Sequence, residues 1–383
     1  MKPLTLLTLV FFVAIQSQAQ VVETMLSFPT ITDGMDVDAE GNLYTTSGGL
    51  AGNTVGQFNL ELDVFVPGYI NGLYGPTDVD FLNDSILIIT NYDIGIMSSY
   101  NFNTTELVTI AEGLDGPAGI ATNEEGEIYV TNWGGPPTYN GHTITKISPS
   151  GESWVYIDSE LLYRPQAITY NHEQTLIVHS NWKLYKIQES DSTLHFWTDL
   201  GAGVANMVFR EKDSCIYGTS VGSHQILKID ILGNVEVFAG SSVGYEDGEV
   251  SDAKFTSPLG ITFSPGEDTL YVSEGGDINR LRRIILTDFS GIDDMDIMND
   301  GVSVYPNPLK KGNNLQIENL DGMVDYISLY SMDGRLIYNH FASVGLNELT
   351  VPASAFFNRP SGTYILVLVN DNGDKYHQHL VIE

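Results

Sequence analysis

The chain is predicted to be all-β on three observations. Short apolar runs alternate with polar residues at a period of two. Acidic and glycine-containing turns separate those runs. One strand–turn–strand unit recurs six times before the composition changes near residue 302. The copies begin TDGMDVDAEGNLYTTS at Thr32, GPTDVDFLNDSILIITN at Gly75 and GPAGIATNEEGEIYVTN at Gly116. RPQAITYNHEQTLIVHS at Arg164, VANMVFREKDSCIYGTS at Val204 and SPLGITFSPGEDTLYVSE at Ser257 follow. Tyr44, Ile88, Tyr129, Ile177, Tyr217 and Tyr271 occupy one column, spaced by 44, 41, 48, 40 and 54 residues. That period is the length of a four-stranded blade, about 40–50 residues.

Two further apolar runs complete each unit, for example TITKISPS and SWVYIDS in the third. The last unit lacks its fourth run, and Val21–Phe28 (VVETMLSF) is a run of that kind lying before the first unit. The predicted architecture is therefore a six-bladed β-propeller in which Val21–Phe28 pairs with the last blade near Asn279–Leu286. Such closure removes exposed sheet edges.

The two ends differ from the repeats. Residues 1–19 read as an export signal: Lys2, an apolar stretch from Leu4 to Ile15, and a small-x-small site at Ser17-Gln18-Ala19. The stretch is short for a membrane span, which needs about 20 apolar residues, and no later one is long enough. Residues 287–301 carry acidic groups without basic ones and read as a solvated linker. From residue 302 to 383, strand-like runs and Asp-Gly, Asn-Gly and Ser-Gly turns predict a small Ig-like β-sandwich. The domain reading is thus 1–19, 20–286, 287–301 and 302–383.

Composition narrows the partners. The 383 residues hold 49 Asp and Glu against 17 Lys and Arg, a net charge of −32. Nucleic acid is excluded, because binding phosphates requires clustered cations, and an anionic membrane surface is disfavoured on the same grounds. Hydrophobic residues make up 42%, so a core can form. Cys215 is the single cysteine, so no intrachain disulfide exists.

Two resemblances follow from these residues. GYEDGEVSDAKFTSPLGITFSPGEDTLYVSEGGDINRLRRI, from Gly244 to Ile284, resembles an NHL repeat. The other copies resemble the broader group of NHL and SMP-30/gluconolactonase-like six-bladed propellers. In the tail, Val304-Tyr305-Pro306-Asn307-Pro308, Ser328 to Arg335 and Gly362-Thr363-Tyr364-Ile365-Leu366 resemble the C-terminal sorting domain of the type IX secretion system. That resemblance implies a Gram-negative cell and Sec export to the periplasm. It also implies passage through the outer membrane by the type IX machinery, and release or attachment at the cell surface.

Residues just after the start of each repeat converge on one mouth of a propeller channel. They are Asp33, Thr77, Ala118, Gln166, Asn206 and Leu259. A second column, at the ends of the second strands, reads Ser47, Asn91, Asn132, Ser180, Ser220 and Glu274. Trp133 and Trp182 follow second strands and offer stacking faces. Lactonase-type relatives hold a divalent cation on oxygen ligands from such positions. That resemblance would assign Asn206 and Glu274 to Ca²⁺ or another divalent cation, with Asp33 or Asn132 assisting. The full ligand set does not map, since Ala118 and Leu259 occupy ligand positions in the best-preserved copies.

Other local matches read as structure. Gly218-Thr219-Ser220-Val221-Gly222 fits G-x-S-x-G but lies between strands, not at a strand-to-helix turn. Asp36 to Asn42 begins like a Ca²⁺ loop yet lacks the twelfth-position Glu, so a hairpin turn is expected. His377 and His379 share one strand face in the tail, and Cys215 reads as a small buried hydrophobe. The function expected is a secreted or surface-attached propeller that binds a glycan, small molecule or protein, without a cofactor that the sequence fixes. A metal-dependent lactonase, hydrolase or lyase is the alternative, and a structural surface-layer component the third.

Overall fold

The computed structural model describes residues 20–382 apart from 28–32, 49–51, 124, 172–173, 189–191, 276–278, 287–302, 319–323, 332–335, 342–347, 357–360 and 371–374. The expected export signal and acidic linker lie outside the described residues. Among those described, the regular structure is strand, with two short 3₁₀ turns at Tyr92–Ile94 and Ala353–Phe356. Among the described residues no helix is long and apolar enough to cross a membrane.

Strand β1 (Val21–Ser27) precedes a first sheet of β2 (Met35–Val37), β3 (Leu43–Thr46), β4 (Thr54–Asn59) and β5 (Val64–Asn71). The second sheet holds β6 (Pro76–Asn83), β7 (Ile86–Asn91), β8 (Ile96–Asn101) and β9 (Glu106–Glu112). The third holds β10 (Pro117–Thr122), β11 (Ile128–Asn132), β12 (Thr143–Ile147) and β13 (Ser153–Asp158). In the fourth are β14 (Ile168–Tyr170), β15 (Leu176–Ser180), β16 (Lys183–Gln188) and β17 (Thr193–Asp199). The fifth comprises β18 (Met207–Arg210), β19 (Cys215–Ser220), β20 (Gln225–Ile229) and β21 (Val235–Ala239). Each is an antiparallel meander, as the alternating runs and polar turns require.

The next sheet is assembled from both ends of this region. After the two-residue β22 (Gly248–Glu249), β23 (Pro258–Phe263), β24 (Thr269–Glu274) and β25 (Arg280–Ile285) pair in order, and β1 occupies the fourth place. Its register runs antiparallel from Val21↔Ile285 to Ser27↔Arg280. The N-terminal run thus sits where the unit count placed it.

The first strands β2, β6, β10, β14, β18 and β23 contact one another in cyclic order, with β23 returning to β2. Apolar clusters fill the sheet-to-sheet junctions, for example Tyr44, Val55 and Val79 between the first two and Met35, Leu43 and Tyr271 between last and first. The tyrosine column belongs to these cores. Tyr44, Tyr129 and Tyr217 also donate their hydroxyls to Asp38, Glu127 and Asp213 of the preceding turns. The acidic turns are therefore acceptors for buried phenols. Asp38 also accepts from the Asn42 N–H at 2.7 Å, so Asp36 and Val37 end β2 and residues 38–42 form the hairpin turn.

A ring of hydroxyls joins neighbouring sheets. Thr131 Oγ1 accepts from Gly119 N at 2.8 Å and donates to Gln166 O of the next sheet at 2.7 Å. Thr90 bridges Asp78 N and Ala118 O at 2.8 and 3.3 Å, and Ser273 bridges Gly260 N and Asp33 O at 2.8 and 3.0 Å. Thr219 does the same between Asn206 N and Leu259 O. His179 takes this place in the fourth sheet, its Nε2 accepting from Val204 N at 3.3 Å. Such close apposition needs glycine: a Cβ on Gly119 would lie 2.1 Å from Gln166 O, and one on Gly260 2.2 Å from Asp33 O. Thr131→Val keeps the shape but leaves both partners without the hydroxyl. It is expected to cost about 1–3 kcal/mol, read by thermal or denaturant unfolding, while Thr131→Ser stays near wild type.

In the tail, β26 (Ser303–Tyr305), β27 (Leu315–Glu318) and β30 (Glu348–Val351) form one sheet. The other contains β28 (Val324–Ser331), β29 (Leu336–Phe341), β31 (Gly362–Asn370) and β32 (Lys375–Ile382). Leu315, Ile317 and Val351 of the first share a core with Ile327, Leu329 and Leu366 of the second. His377 and His379 lie in β32 opposite Val367 and Ile365.

Candidate functional site

A cavity of about 500 Å³ opens where the first strands begin. Asp33, Thr77, Ala118, Gln166, Asn206 and Leu259 all line it. So do residues that the one-per-repeat reading omits: Gly34, Asp78, Gly119 and Ala205 from the same segments. For Asp78 and Gly119 the reason is a register shift between Pro76 and Val79, repeated between Pro117 and Ile120. A bulge lets successive residues, here Thr77 and Asp78, face the channel together.

Asp78 sets the floor. Its Oδ1 accepts from Asn206 Nδ2 at 3.0 Å, joining the second sheet to the fifth across the channel, and its Oδ2 accepts from Ile120 N at 2.9 Å. Beneath this bridge lies a second cavity of about 240 Å³ that includes Asp36, Asp80 and Glu211. Asp78 and Asn206 line both cavities, so their hydrogen bond is the partition between them. The carboxylate lies so close to Gly34 that a Cβ there would meet Asp78 Oδ1 at 2.0 Å. Gly34→Ala would therefore displace the floor.

Burial pushes the Asp78 carboxyl up to about 8, and Asp36 adds to the rise. Asp36 and Asp80 are raised as well, chiefly by desolvation and, for Asp80, by the charges of Asp36 and Asp78. A carboxyl whose folded pKa exceeds its unfolded value near 4 binds a proton on folding. Its contribution is complete below the unfolded pKa and disappears as pH rises through the folded one. Burial also lowers the His179 pKa to about 4, so this histidine opposes stability only once pH falls below its ordinary value near 6.5. The melting temperature is thus expected to rise as pH falls from 8.5 to 6.5. Asp78→Asn should flatten that rise, as followed by calorimetry across the same range.

The upper wall is aromatic. Trp133 lies edge-on to Tyr92 and Tyr139 at ring centroid distances of 6.2 and 6.1 Å. The Arg164 guanidinium stacks 4.7 Å from the Trp133 ring centre and 5.1 Å from that of Tyr163. Its Nε donates to Tyr139 O at 2.6 Å, and the backbone holds a φ of 52°, unusual for a side chain of this size. Trp182 does not line the cavity. It is 59% exposed, stands at φ 65° in the turn after β15, and its ring lies over Gly203.

The second polar column turns away from the channel. Ser180 Oγ exchanges hydrogen bonds with Tyr163 N and O, Asn91 Oδ1 accepts from Tyr74 N, and Ser220 Oγ donates to Gly203 O. Ser47 Oγ accepts from Thr54 N. Asn132 Nδ2 donates to Thr143 and Thr145, one strand outward. Because side chains alternate along a strand, the residue ending β7 or β15 faces opposite to the hydroxyl or histidine before it. These residues fasten connecting loops and outer strands.

Glu274 belongs to the same fastening set. Its Oε1 accepts from Thr256 N and from Arg282 Nη1, each at 3.0 Å. The metal pair implied by the lactonase resemblance therefore does not assemble: Glu274 lines neither cavity, and both polar atoms of the Asn206 amide are engaged, with Asp78 and with Met207 N. Among the described residues no group of three or more His, Cys, Asp or Glu is placed to hold a metal ion. Ser220 is bonded at a strand end, as above. The Cys215 thiol, buried and pushed up to about 12 by desolvation, has no nucleophilic character.

Comparison with known proteins adds three findings. No curated protein matches the sequence significantly. Several solved structures share the fold over about 70% of this chain. A gluconolactonase from Xanthomonas campestris superposes with a TM-score of 0.56 at 14% identity, covering 70% of this chain and 90% of that one. An auxiliary nutrient binding protein from Bacteroides ovatus gives 0.54 at 16% identity, covering 70% and 77%. A streptogramin B lyase gives 0.52 at 14% identity, covering 70% and 98%. At these identities the likeness is one of fold. Residues 303–383 match the family described as secretion system C-terminal sorting domain, which implies export to the outer surface or beyond. The chain thus ends in a type IX sorting domain, preceded by a propeller fold of the kind found in gluconolactonases and nutrient-binding proteins.

Proposed function

We propose that residues 20–286 form one six-bladed propeller whose mouth binds a small molecule or short glycan outside the cell. In this reading residues 302–383 are an Ig-like sandwich recognised by the type IX machinery. Residues 1–19 are removed on Sec export to the periplasm, and residues 287–301 are the linker. The observation that carries the binding role is the cavity above Asp78: polar groups converge on its floor and aromatic rings stand on its wall, the usual make-up of a ligand site. A binding role accounts for the site better than metal-assisted hydrolysis, because Asn206 and Glu274 are committed to other partners.

The test is a thermal-shift panel of glycans, amino acids and lactones against the chain lacking residues 1–19. At least one compound is expected to raise the melting temperature, and Trp133→Ala to abolish that rise without changing the unliganded value by more than a few degrees. Lactone turnover that follows added divalent metal would instead favour the hydrolase.

A further inference from the structure

We infer that the cavity above Asp78 selects an acidic carbohydrate, with Arg164 as the group that recognises the ligand's carboxylate. This rests on the proposed binding role of that cavity and specifies its ligand.

The first ground is the isolation of Arg164 in an acidic protein. Arg210, Arg280, Arg282 and Arg283 each lie within 4 Å of a carboxylate. Arg164 forms no such pair among the described residues, and its one side-chain hydrogen bond there uses Nε. That bond and the rings of Trp133 and Tyr163 fix the plane of the guanidinium. The two terminal nitrogens remain as a fork of the geometry that suits a carboxylate. It is also the one basic residue on the cavity wall.

The second ground is the contrast between wall and floor. Aromatic rings at Tyr92, Trp133 and Tyr139 suit the C–H face of a pyranose. The Gln166 amide on the same lining supplies a donor and an acceptor for ring hydroxyls. A flat aromatic acid would satisfy the wall and strand this amide, whereas a peptide would present few hydroxyls to it. Asp78 lines the same cavity without repelling an anion at neutral pH, since burial keeps its carboxyl largely protonated there.

The experiment is titration calorimetry on the chain lacking residues 1–19, with matched pairs that differ in one group. The pairs are galacturonate and galactose, glucuronate and glucose, and trigalacturonate and galactotriose. At least one acid is expected to bind about ten-fold tighter than its neutral partner, with an affinity that falls as salt is added. Arg164→Gln should bring the two affinities together, and Arg164→Lys should restore only part of the difference. A residue serving only to brace the 134–142 loop would lower both affinities alike. Equal binding of acid and neutral sugar, an acid preference surviving in Arg164→Gln, or binding of no acid would each overturn the assignment. Neutral sugars bound in a Trp133-dependent manner would do so while leaving the cavity's binding role standing.

Discussion

Arg282→Met is expected to destabilise the chain by about 3–5 kcal/mol, the usual cost of removing one member of a buried ion pair. Arg282 is wholly buried. Its Nη1 donates to Glu274 Oε1 at 3.0 Å and Lys254 O at 3.1 Å, and its Nη2 to Asp247 Oδ1 at 2.7 Å and Glu246 O at 3.0 Å. The guanidinium also faces the rings of Phe255 and Tyr245 at 4.9 and 5.3 Å. Without it, Glu274 is left buried with the more distant Arg280, 3.6 Å away, and the carbonyls at 246 and 254 keep only their backbone N–H donors. Asp247 in turn accepts from Thr24 N and Oγ1, so the damage reaches β1. Chemical denaturation measures the loss, and Arg282→Met/Glu274→Leu should recover a large part of it by removing the orphaned charge. A loss below about 1 kcal/mol in the single variant would mean that the network is dispensable.

Removal of residues 20–27 should have a larger effect. Val22 is fully buried with Leu270 and Ile284, and β1 supplies the outer partner of β25 along its length. Its loss exposes an unpaired edge, which favours association with other chains. The truncated chain is expected to melt at a markedly lower temperature and to migrate as oligomers in size-exclusion chromatography. A monomer with unchanged melting would show that closure through β1 contributes nothing. Hydrogen exchange gives a direct check on the intact chain, where amides of β1 and β25 should be protected together.

The sheets were readable because their signals are local. Period-two alternation, acidic turns and a regular tyrosine column need no knowledge of tertiary contacts. Even the place of β1 followed from counting runs. The site was readable at one residue per repeat, since the segment after each starting residue faces the channel. Asp78 escaped because a bulge adds a channel-facing residue that strict alternation forbids. The second column was misassigned for the converse reason: at a strand end, a step of one residue reverses the side chain, so Thr131 faces inward while Asn132 faces the outer strands. Glu274 looked like a metal ligand because the sequence does not reveal that Arg282, one strand away, claims its carboxylate. Arg164 and Tyr139 went unread as site residues because connections of irregular length carry them into place.

The pairing of β1 with β25 also dictates when this molecule can exist. Val21 pairs with a companion some 260 positions later, Ile285. Contacts of such separation form late and slowly. An open array of repeats can lose a unit and remain a shorter version of itself, but here every incomplete chain carries two bare margins. Selection on such a gene therefore acts on whole circles, and the gain or loss of a repeat must be accommodated all the way round.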